Sequence, residues 1–375
     1  MTTVGIEEEF HLVDSSTRYL RPAAAAVLAQ LPAVGFTQEG KQTTVETNSE
    51  PHSDLSRLRD DVARKRALLA SVADDNGVQV AAAGTMPLMR LGDAVPTPER
   101  RYLANVHNFA HIALEQVICG MHVHVGIEDR DVAAPAMAWI SPWVPVLLAF
   151  SANSPYWLGE DTGYASWRTM LWQRWPTAGP APRCESAAEY DALVAGLIRS
   201  EVVSDAGMIY HDLRLSAHVP TIELRVCDVV PDLDTTIMIA ALFRALVRHA
   251  GNAVRAGRPA PRFPNSFLRA ATWRSARSGL TGDLIDPGSG RPFPAAVVVR
   301  RLLRTVETDL RFHGDYERVR STAAEVLARG DWAQLQRQTG RHRGLAAVVD
   351  LLTTETRAYQ PQLDYTPTAE GHPAA

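Results

Sequence analysis

Apolar residues follow two patterns along this chain, one with a period of two and one with a helical period. The first pattern predicts strands with one buried face, and the second predicts amphipathic helices. Strand patterns cover residues 5–13, 44–51, 78–84, 119–127 and 220–228. Helix patterns cover residues 55–73, 100–118, 232–251 and 295–313.

Strand and helix patterns mix without the regular strand–helix–strand alternation that predicts a parallel sheet. We therefore expect an α+β fold, with an antiparallel sheet and helices packed on one of its faces. The Pro- and Gly-rich stretches 175–183 and 255–266 are expected to be surface loops rather than linkers between domains. Residues 1–360 are accordingly predicted to form a single domain, and residues 361–375 a disordered tail.

Composition and charge narrow the class of protein. The 375 residues are 46% hydrophobic and 21% charged, which is typical of a globular protein with a large core. A net charge of -4 argues against a general nucleic-acid binder, whose affinity depends on a basic surface. Charges, Gly or Pro interrupt the apolar stretches, so neither a membrane span nor a signal peptide is expected. Three widely spaced cysteines without a CxxC pair indicate a reducing cytoplasm and no disulfide framework.

Four of the predicted strands carry metal- or phosphate-binding side chains on a single face. Residues i and i+2 of a strand point to the same side, so each of these strands has one apolar and one polar face. The residues on the polar faces are Glu7, Glu9, His11, Glu46, Asn48, His122, His124, Glu223 and Arg225. An ordinary half-solvated sheet also alternates in this way, and each strand taken alone favours that simpler interpretation.

If the four polar faces converge, their glutamates form a cluster that stays ionised only with cations among them. Carboxylate oxygens suit a hard ion such as Mg²⁺ or Mn²⁺, and nucleotide phosphates would complete its coordination. Arg225, two residues after Glu223, could then hold a phosphoryl group with its planar guanidinium. The periodicity itself leaves the convergence open.

The HxH pair allows a different function. His122 and His124 could ligate zinc in a metal-dependent hydrolase, with His211, His218 or His249 as the third ligand. The motif is short and weakly specific, and the other candidate ligands are glutamates.

The segment GFTQEGKQ, residues 35–42, approaches the pattern of a Walker A loop. Gln42 stands where Ser or Thr should contact Mg²⁺, and a strand rather than a helix follows, so we expect a hairpin turn. The Trp- and Arg-rich stretch 165–176 is expected to pack in a lid or in the core. Arg168 and Arg174 within it are candidates for contacting an anionic ligand.

Several long motifs, in order, resemble those of the carboxylate-amine ligase family, also called glutamate–cysteine ligase type 2. The resemblance runs from residue 4 to about residue 357. It depends on GIEEEFHLVD, on VET before a Leu-rich helix, on GMHVHVGI, on SANSPYWLGEDTGYASWRTMLWQRWPTAGPAP and on PTIELRVCDVVPDLD.

The resemblance implies a catalytic domain similar to that of glutamine synthetase, in which a curved antiparallel sheet forms a funnel with helices on its convex face. ATP and two or three Mg²⁺ ions bind on the concave face. Members phosphorylate a small-molecule carboxylate with ATP, and an amine then displaces phosphate. The implied metal ligands are Glu7, Glu9, Glu46, His122, His124 and Glu223. Catalytic roles are implied for Glu223 and Arg225, and cofactor binding for Arg225, Arg168, Arg274 and Arg277.

Two stretches depart from the family pattern. His211 replaces the usual Trp and Leu215 the usual Pro, while ATWRSARSGL, residues 271–280, lacks the usual Asn and Tyr. The metal and phosphate motifs are intact, so ATP-dependent ligation is expected. Glutamate plus cysteine is the default pair, and a specialised amide-forming ligase with another acid and amine is the alternative. A homo-oligomer is compatible with either.

Overall fold

The computed structural model describes residues 2–358, so the tail predicted at 361–375 lies outside the described residues. Seven strands form one antiparallel sheet in the order β2-β3-β1-β5-β9-β8, with β4 paired to the far end of β1. Two short hairpins, β6–β7 and β10–β11, lie outside it. The strands are β1 Val4–Asp14, β2 Phe36–Gln38, β3 Thr44–Asn48, β4 Val78–Ala81, β5 Gly120–Gly126, β6 Tyr156–Trp157, β7 Glu160–Asp161, β8 Leu213–Leu215, β9 Thr221–Asp228, β10 Asp283–Ile285 and β11 Pro292–Pro294.

Helices account for most of the remaining regular structure, with short 3-10 turns between some of them. They are α1 Ala24–Leu28, α2 Leu55–Asp75, α3 Arg100–Phe109, α4 His111–Leu114, α5 Arg130–Ile140, α6 Val144–Ser151, α7 Trp167–Trp172, α8 Ala187–Arg199, α9 Leu233–Arg255, α10 Asn265–Ser278, α11 Ala295–His313, α12 Tyr316–Arg329 and α13 Trp332–Arg357. The last one is interrupted at Gly344, whose φ is 79°.

The core lies between the apolar face of the sheet and a layer of helices. Ile6, Phe10 and Leu12 of β1 are fully or almost fully buried, and α2, α6 and α9 contact the strands from this side. The predicted α+β class with an antiparallel sheet is therefore confirmed. The other face of the sheet bears the polar residues.

Three sequence predictions about single elements have definite outcomes. The 35–42 segment belongs to a hairpin, as expected: it contains strand β2 and most of the turn that leads to β3. The buried Nζ of Lys41 in this turn donates to the carbonyls of Ala113 and Leu114 at 3.0 Å. The helix predicted at 100–118 is wrong as a single element, because it breaks at Ala110, whose φ is 47°. The strand predicted to reach residue 84 ends at Ala81.

Two apolar segments are long enough to span a bilayer, so the expectation that none is long enough was wrong. They are Arg130–Ser151 and Leu233–Arg255. The first segment contains three prolines: Pro135 lies inside α5, Pro142 lies in a 3-10 turn, and Pro145 lies in the first turn of α6. The apolar windows of the two segments are 83% and 78% buried within the fold, as core helices are. Both pack against each other in the layer behind the sheet.

Candidate active site

Strand register brings the predicted polar residues together on one face of the sheet. Glu7 of β1 lies opposite His122 of β5, and Glu9 lies opposite Glu46 of β3. His124 lies opposite Glu223 of β9. The four polar faces therefore do converge, because β3, β1, β5 and β9 are neighbours in the sheet.

Glu7 contacts both histidines of the HxH pair. Its Oε2 lies 3.0 Å from Nδ1 of His122, and its Oε1 lies 3.1 Å from Nε2 of His124. Burial favours a raised pKa for Glu7, but the hydrogen bonds and charges of the two histidines outweigh it and hold the pKa below its usual range. For His124, burial favours a lower pKa, but the hydrogen bond to Glu7 and the charges of Glu7 and Glu223 raise the pKa above its ordinary value. Glu7 is therefore an ionised acceptor at the centre of the site.

Glu223 is completely buried and is held by two arginines. Arg214 of β8 donates from Nε to Oε2 at 2.6 Å and from Nη2 to Oε1 at 3.1 Å, and Arg225 donates to Oε1. Burial opposes ionisation, but the charges of Arg225 and Arg214 lower the pKa of Glu223 to about 2. The carboxylate is thus charged at every physiological pH.

A second group of carboxylates lies on the other side of β1. Glu46 accepts hydrogen bonds from Thr37 at 2.9 Å and from Asn48 at 3.0 Å. Burial and the charges of Glu7 and Glu9 raise the pKa of Glu46 to about 7. Burial and the charges of Glu46 and Glu9 also raise the pKa of Glu39 well above its ordinary value. Such crowding of half-buried carboxylates calls for a positive charge among them.

The donor set fits a divalent cation. Ligand atoms of Glu7, His122 and Glu223 lie within 4.8 Å of one another, and so do those of Glu9, Glu46 and His122. Carboxylate oxygens with one imidazole suit Mg²⁺ or Mn²⁺, and a cation would relieve the repulsion that raises the pKa of Glu46. His124 lies beside the first set. Among the described residues neither set includes His211, His218 or His249, the third ligands considered for a zinc hydrolase.

The polar face of the sheet is the floor of a cavity of about 410 Å³. Basic, aromatic and amide side chains from α3, α7, β8 and the loops next to α7 and β8 enclose it, and they are Arg101, Tyr102, Asn105, Trp172, Trp175, Tyr210 and Arg214. A second cavity, of about 990 Å³, borders Glu7 and His124 from the other end of the strands. The carboxylate cluster is therefore reached from two sides.

The four arginines for which the resemblance implied cofactor binding have different surroundings. Arg225 borders the smaller cavity, and its guanidinium lies 5.6 Å from the ring of Trp172. Arg168 also borders it but is only 1% exposed and donates to backbone carbonyls of β9. Arg274 and Arg277 lie on α10 and border neither cavity among the described residues; Arg277 donates to the carbonyl of Gly163. The structure does not bring the α10 pair to this site.

Several charged residues that line the cavity were missed by the sequence interpretation, among them Arg214 and Glu39. Arg214 stands between Leu213 and Leu215, so the same period-two signal that identified Arg225 could have indicated it. Glu39 follows β2 in the hairpin turn, where no periodicity exists to indicate the direction of its side chain. Only the fold brings it next to Glu46 and Glu9.

The fold is that of a glutamate–cysteine ligase. A crystal structure of glutamate–cysteine ligase from Francisella tularensis in complex with AMP superposes with a TM-score of 0.69, at 12% identity, over 96% of this chain and 89% of that one. A bifunctional glutathione synthetase from Pasteurella multocida gives 0.67, also at 12% identity, over 95% of this chain and 52% of that one. At these identities the likeness is one of fold.

The chain belongs to glutamate–cysteine ligase family 2, whose model matches residues 3–347. A relative from Frankia alni is 48% identical over 96% of this chain, and one from Mycolicibacterium smegmatis is 46% identical over 94%. Both bear the name "Putative glutamate–cysteine ligase 2", with the suffixes -3 and -2. The chain spans 42% of the Frankia protein's length and 90% of the Mycolicibacterium protein's.

Proposed function

We propose that this chain is an ATP-dependent carbon–nitrogen ligase that joins a carboxylate to an amine through an acyl phosphate. The observation that carries the proposal is the convergence of Glu7, His122 and Glu223, with Glu7, His122 and Arg225 lining a cavity and Glu223 buried beneath it. Family membership supports it, and so does the AMP bound to the F. tularensis enzyme of the same fold. A nucleoside triphosphate and a carboxylate are both anions, and this site combines cationic arginines with ligands for a divalent cation.

Glu7, Glu9, Glu46, His122 and Glu223 would hold the divalent cations, with His124 supporting Glu7. Bound there, Mg²⁺ would neutralise phosphate charge and so make the γ-phosphorus more electrophilic. Burial and the charges of the nearby Glu46 and Glu9 raise the pKa of Glu39. By gaining or losing a proton, Glu39 would change the net charge of this group of carboxylates.

Phosphoryl transfer activates the acid because a carboxylate has no good leaving group of its own. A carboxylate oxygen attacks the γ-phosphorus of ATP, ADP leaves, and the acid becomes an acyl phosphate. Negative charge spreads over the phosphoryl oxygens in the transition state, so catalysis depends mainly on positioned positive charge. Arg225 supplies that charge from β9, and the pair with Glu223 and the ring of Trp172 fix its direction.

The amine then attacks the acyl carbon, phosphate leaves with the bonding electrons, and the amine gives up a proton as the amide forms. Water competes with the amine at this stage. The aromatic residues Trp172, Trp175 and Tyr210, together with Tyr102, enclose the smaller cavity and would keep water from the acyl phosphate.

Glutamate and cysteine are the first pair to test. The departures from the family pattern had suggested a different pair, yet His211 and Leu215 are buried and border neither of the two cavities described above. None of residues 271–280, the stretch that lacks the usual Asn and Tyr, borders either of these cavities in the part of the chain that the structure describes. Their placement supports altered packing at these positions rather than an altered substrate site.

The test is a coupled assay of ADP release that crosses carboxylic acids, glutamate first, with cysteine and other amines, with products identified by mass. The expected result is ADP release that requires acid and amine together and yields an amide of their combined mass less one water. Release of ADP with no amide for any pair, or turnover with zinc and no ATP, would overturn the proposal.

A further inference from the structure

We propose that Arg168 is a positioning residue, which holds an irregularity of strand β9 and thereby aims Arg225 into the cavity. The inference rests on the proposed function only for its kinetic consequence, because the structural role is measurable without turnover. It assigns to Arg168 a contact with the protein backbone in place of a direct contact with nucleotide.

The irregularity is a β-bulge between β5 and β9. Met121 pairs with Cys227 and Val123 pairs with Leu224, so Arg225 and Val226 together oppose the single residue His122. A bulge of this kind leaves an extra residue without a ladder partner and changes the direction of a side chain. Here it lies in the segment that carries both Glu223 and Arg225, and its partner residue His122 belongs to both metal-ligand sets.

Arg168 contacts the two bulged residues and does so through their carbonyls. Its Nη1 donates to the carbonyl of Val226 at 3.1 Å, and its Nη2 donates to the carbonyl of Arg225 at 3.2 Å. The planar guanidinium offers two donors at a fixed spacing, which suits two successive carbonyls. An ammonium group offers a single point of attachment and would hold them less firmly.

The surroundings of Arg168 fix it in this position. Its backbone N–H donates to Ser154 Oγ at 3.1 Å, and its Nη1 lies 3.9 Å from Oδ1 of the buried Asp228. Asp228 is itself held, since its Oδ2 accepts hydrogen bonds from the backbone N–H of Asn153 and from Ser154 Oγ. The guanidinium therefore cannot leave β9 without breaking a buried network.

Gly120 gives the guanidinium the room it needs. A Cβ atom at this position would lie 2.2 Å from Nη2 of Arg168, well inside contact distance. Gly120 is the first residue of β5 and pairs with Asp228, the last residue of β9. A side chain at this position would displace the Arg168 guanidinium without removing its charge.

The structural role is tested by hydrogen exchange of the intact protein without substrates. We expect Arg168→Lys and Gly120→Ala to speed exchange of the backbone amides of residues 224–228 at least tenfold relative to the rest of the sheet. Arg244→Lys is the matched control: Arg244 is equally buried, and it donates to the Ser53 carbonyl and to Asp315, neither of which belongs to β9. Unchanged exchange at 224–228 in both test variants would overturn the proposal.

The kinetic consequence is tested with a double-mutant cycle. If Arg168 acts through Arg225, Arg168→Lys should lower kcat on the order of tenfold with little change in KM for ATP. The same change in an Arg225→Lys background should then cost less than about twofold, because residues that act as a unit are not additive. Multiplicative losses, or a rise in KM for ATP with kcat unchanged, would overturn it. Wild-type protein that releases no ADP would refute the proposed function alone, since the exchange test still decides this inference.

Discussion

Glu8 and Arg66 form a buried ion pair between the sheet and α2. Nε of Arg66 donates to Oε2 of Glu8 at 2.8 Å. The side chain of Glu8 is 1% exposed and that of Arg66 is 3% exposed. The same guanidinium donates to the carbonyl of Val230 at 2.9 Å. Three consecutive glutamates in a strand are thus divided between two tasks: Glu8 faces the helix layer, while Glu7 and Glu9 face the cavity.

The first prediction concerns stability. Glu8→Gln leaves the Arg66 guanidinium buried without its counter-charge, so we expect the free energy of unfolding to fall by about 3–5 kcal/mol. Glu7→Gln is the matched control one residue away. It loses favourable contacts with the two histidines but relieves repulsion with Glu46, and the Glu7 side chain is 30% exposed, so we expect a smaller loss of about 1–2 kcal/mol. Urea unfolding followed by circular dichroism measures both. Equal losses in the two variants would contradict the division of tasks.

The second prediction concerns turnover by the same two variants. Glu7→Gln, the more stable of the two, should be the one that loses more activity. Glu7→Gln removes a central ligand from the predicted metal set, and we expect ADP release to fall by about 10²–10³-fold or more. Folded Glu8→Gln protein should keep kcat within about threefold of wild type, assayed well below its melting temperature. Near-wild-type ADP release by Glu7→Gln with an active pair of substrates would remove Glu7 from the mechanism.

The third prediction concerns Arg225. Arg225→Lys keeps the charge but loses the planar fork, so we expect kcat to fall on the order of 10²-fold with the fold intact. Arg301→Lys serves as a control, because Arg301 pairs with Asp286 outside the cavities described here. Steady-state kinetics at saturating ATP separate the two. A fall in kcat of equal size in both variants would point to a general loss of stability.

The fourth prediction is a pH dependence of metal binding. The pKa of Glu46 is raised to about 7, so below pH 7 the carboxyl carries a proton that a bound cation has to displace. Affinity for Mn²⁺ alone should therefore weaken as the pH falls from 8 to 6, approaching about tenfold per pH unit at the acid end.

Isothermal titration in buffers with different ionisation enthalpies measures both the affinity and the release of the proton. Glu46→Gln removes the titrating group, so its weaker binding should depend less steeply on pH than that of the wild type. An affinity that stays constant from pH 6 to pH 8 in the wild type would show that Glu46 takes no part in binding the cation.

The alternation of residues within each strand was predictable from the sequence, because it depends only on local geometry. That pattern placed Glu7 and Glu9 on one face of the strand and Glu8 on the other, and it identified the polar faces that the structure brings together. The register between strands was not predictable from periodicity. Glu7 and His122 are more than a hundred residues apart, and their pairing depends on the whole sheet.

Features that depend on tertiary packing escaped prediction for a related reason. The break at Ala110 requires a positive φ that nothing in the local sequence favours. The direction of the Arg168 side chain depends on Gly120 and Asp228. These two residues lie on β5 and β9, both far from Arg168 in the sequence. Arg277 belongs to a motif that matched the family, yet its partner is the Gly163 carbonyl rather than a ligand of the cavity.

Transfer of ¹⁸O from the acid to phosphate tests the central claim most directly. With both carboxylate oxygens of the acid labelled, an acyl-phosphate route delivers one ¹⁸O atom to each phosphate released and leaves the other in the amide. Glutamate with cysteine is the first pair to use, followed by any pair that the ADP-release assay identifies. We predict one labelled oxygen per phosphate; unlabelled phosphate accompanying amide formation would contradict the account.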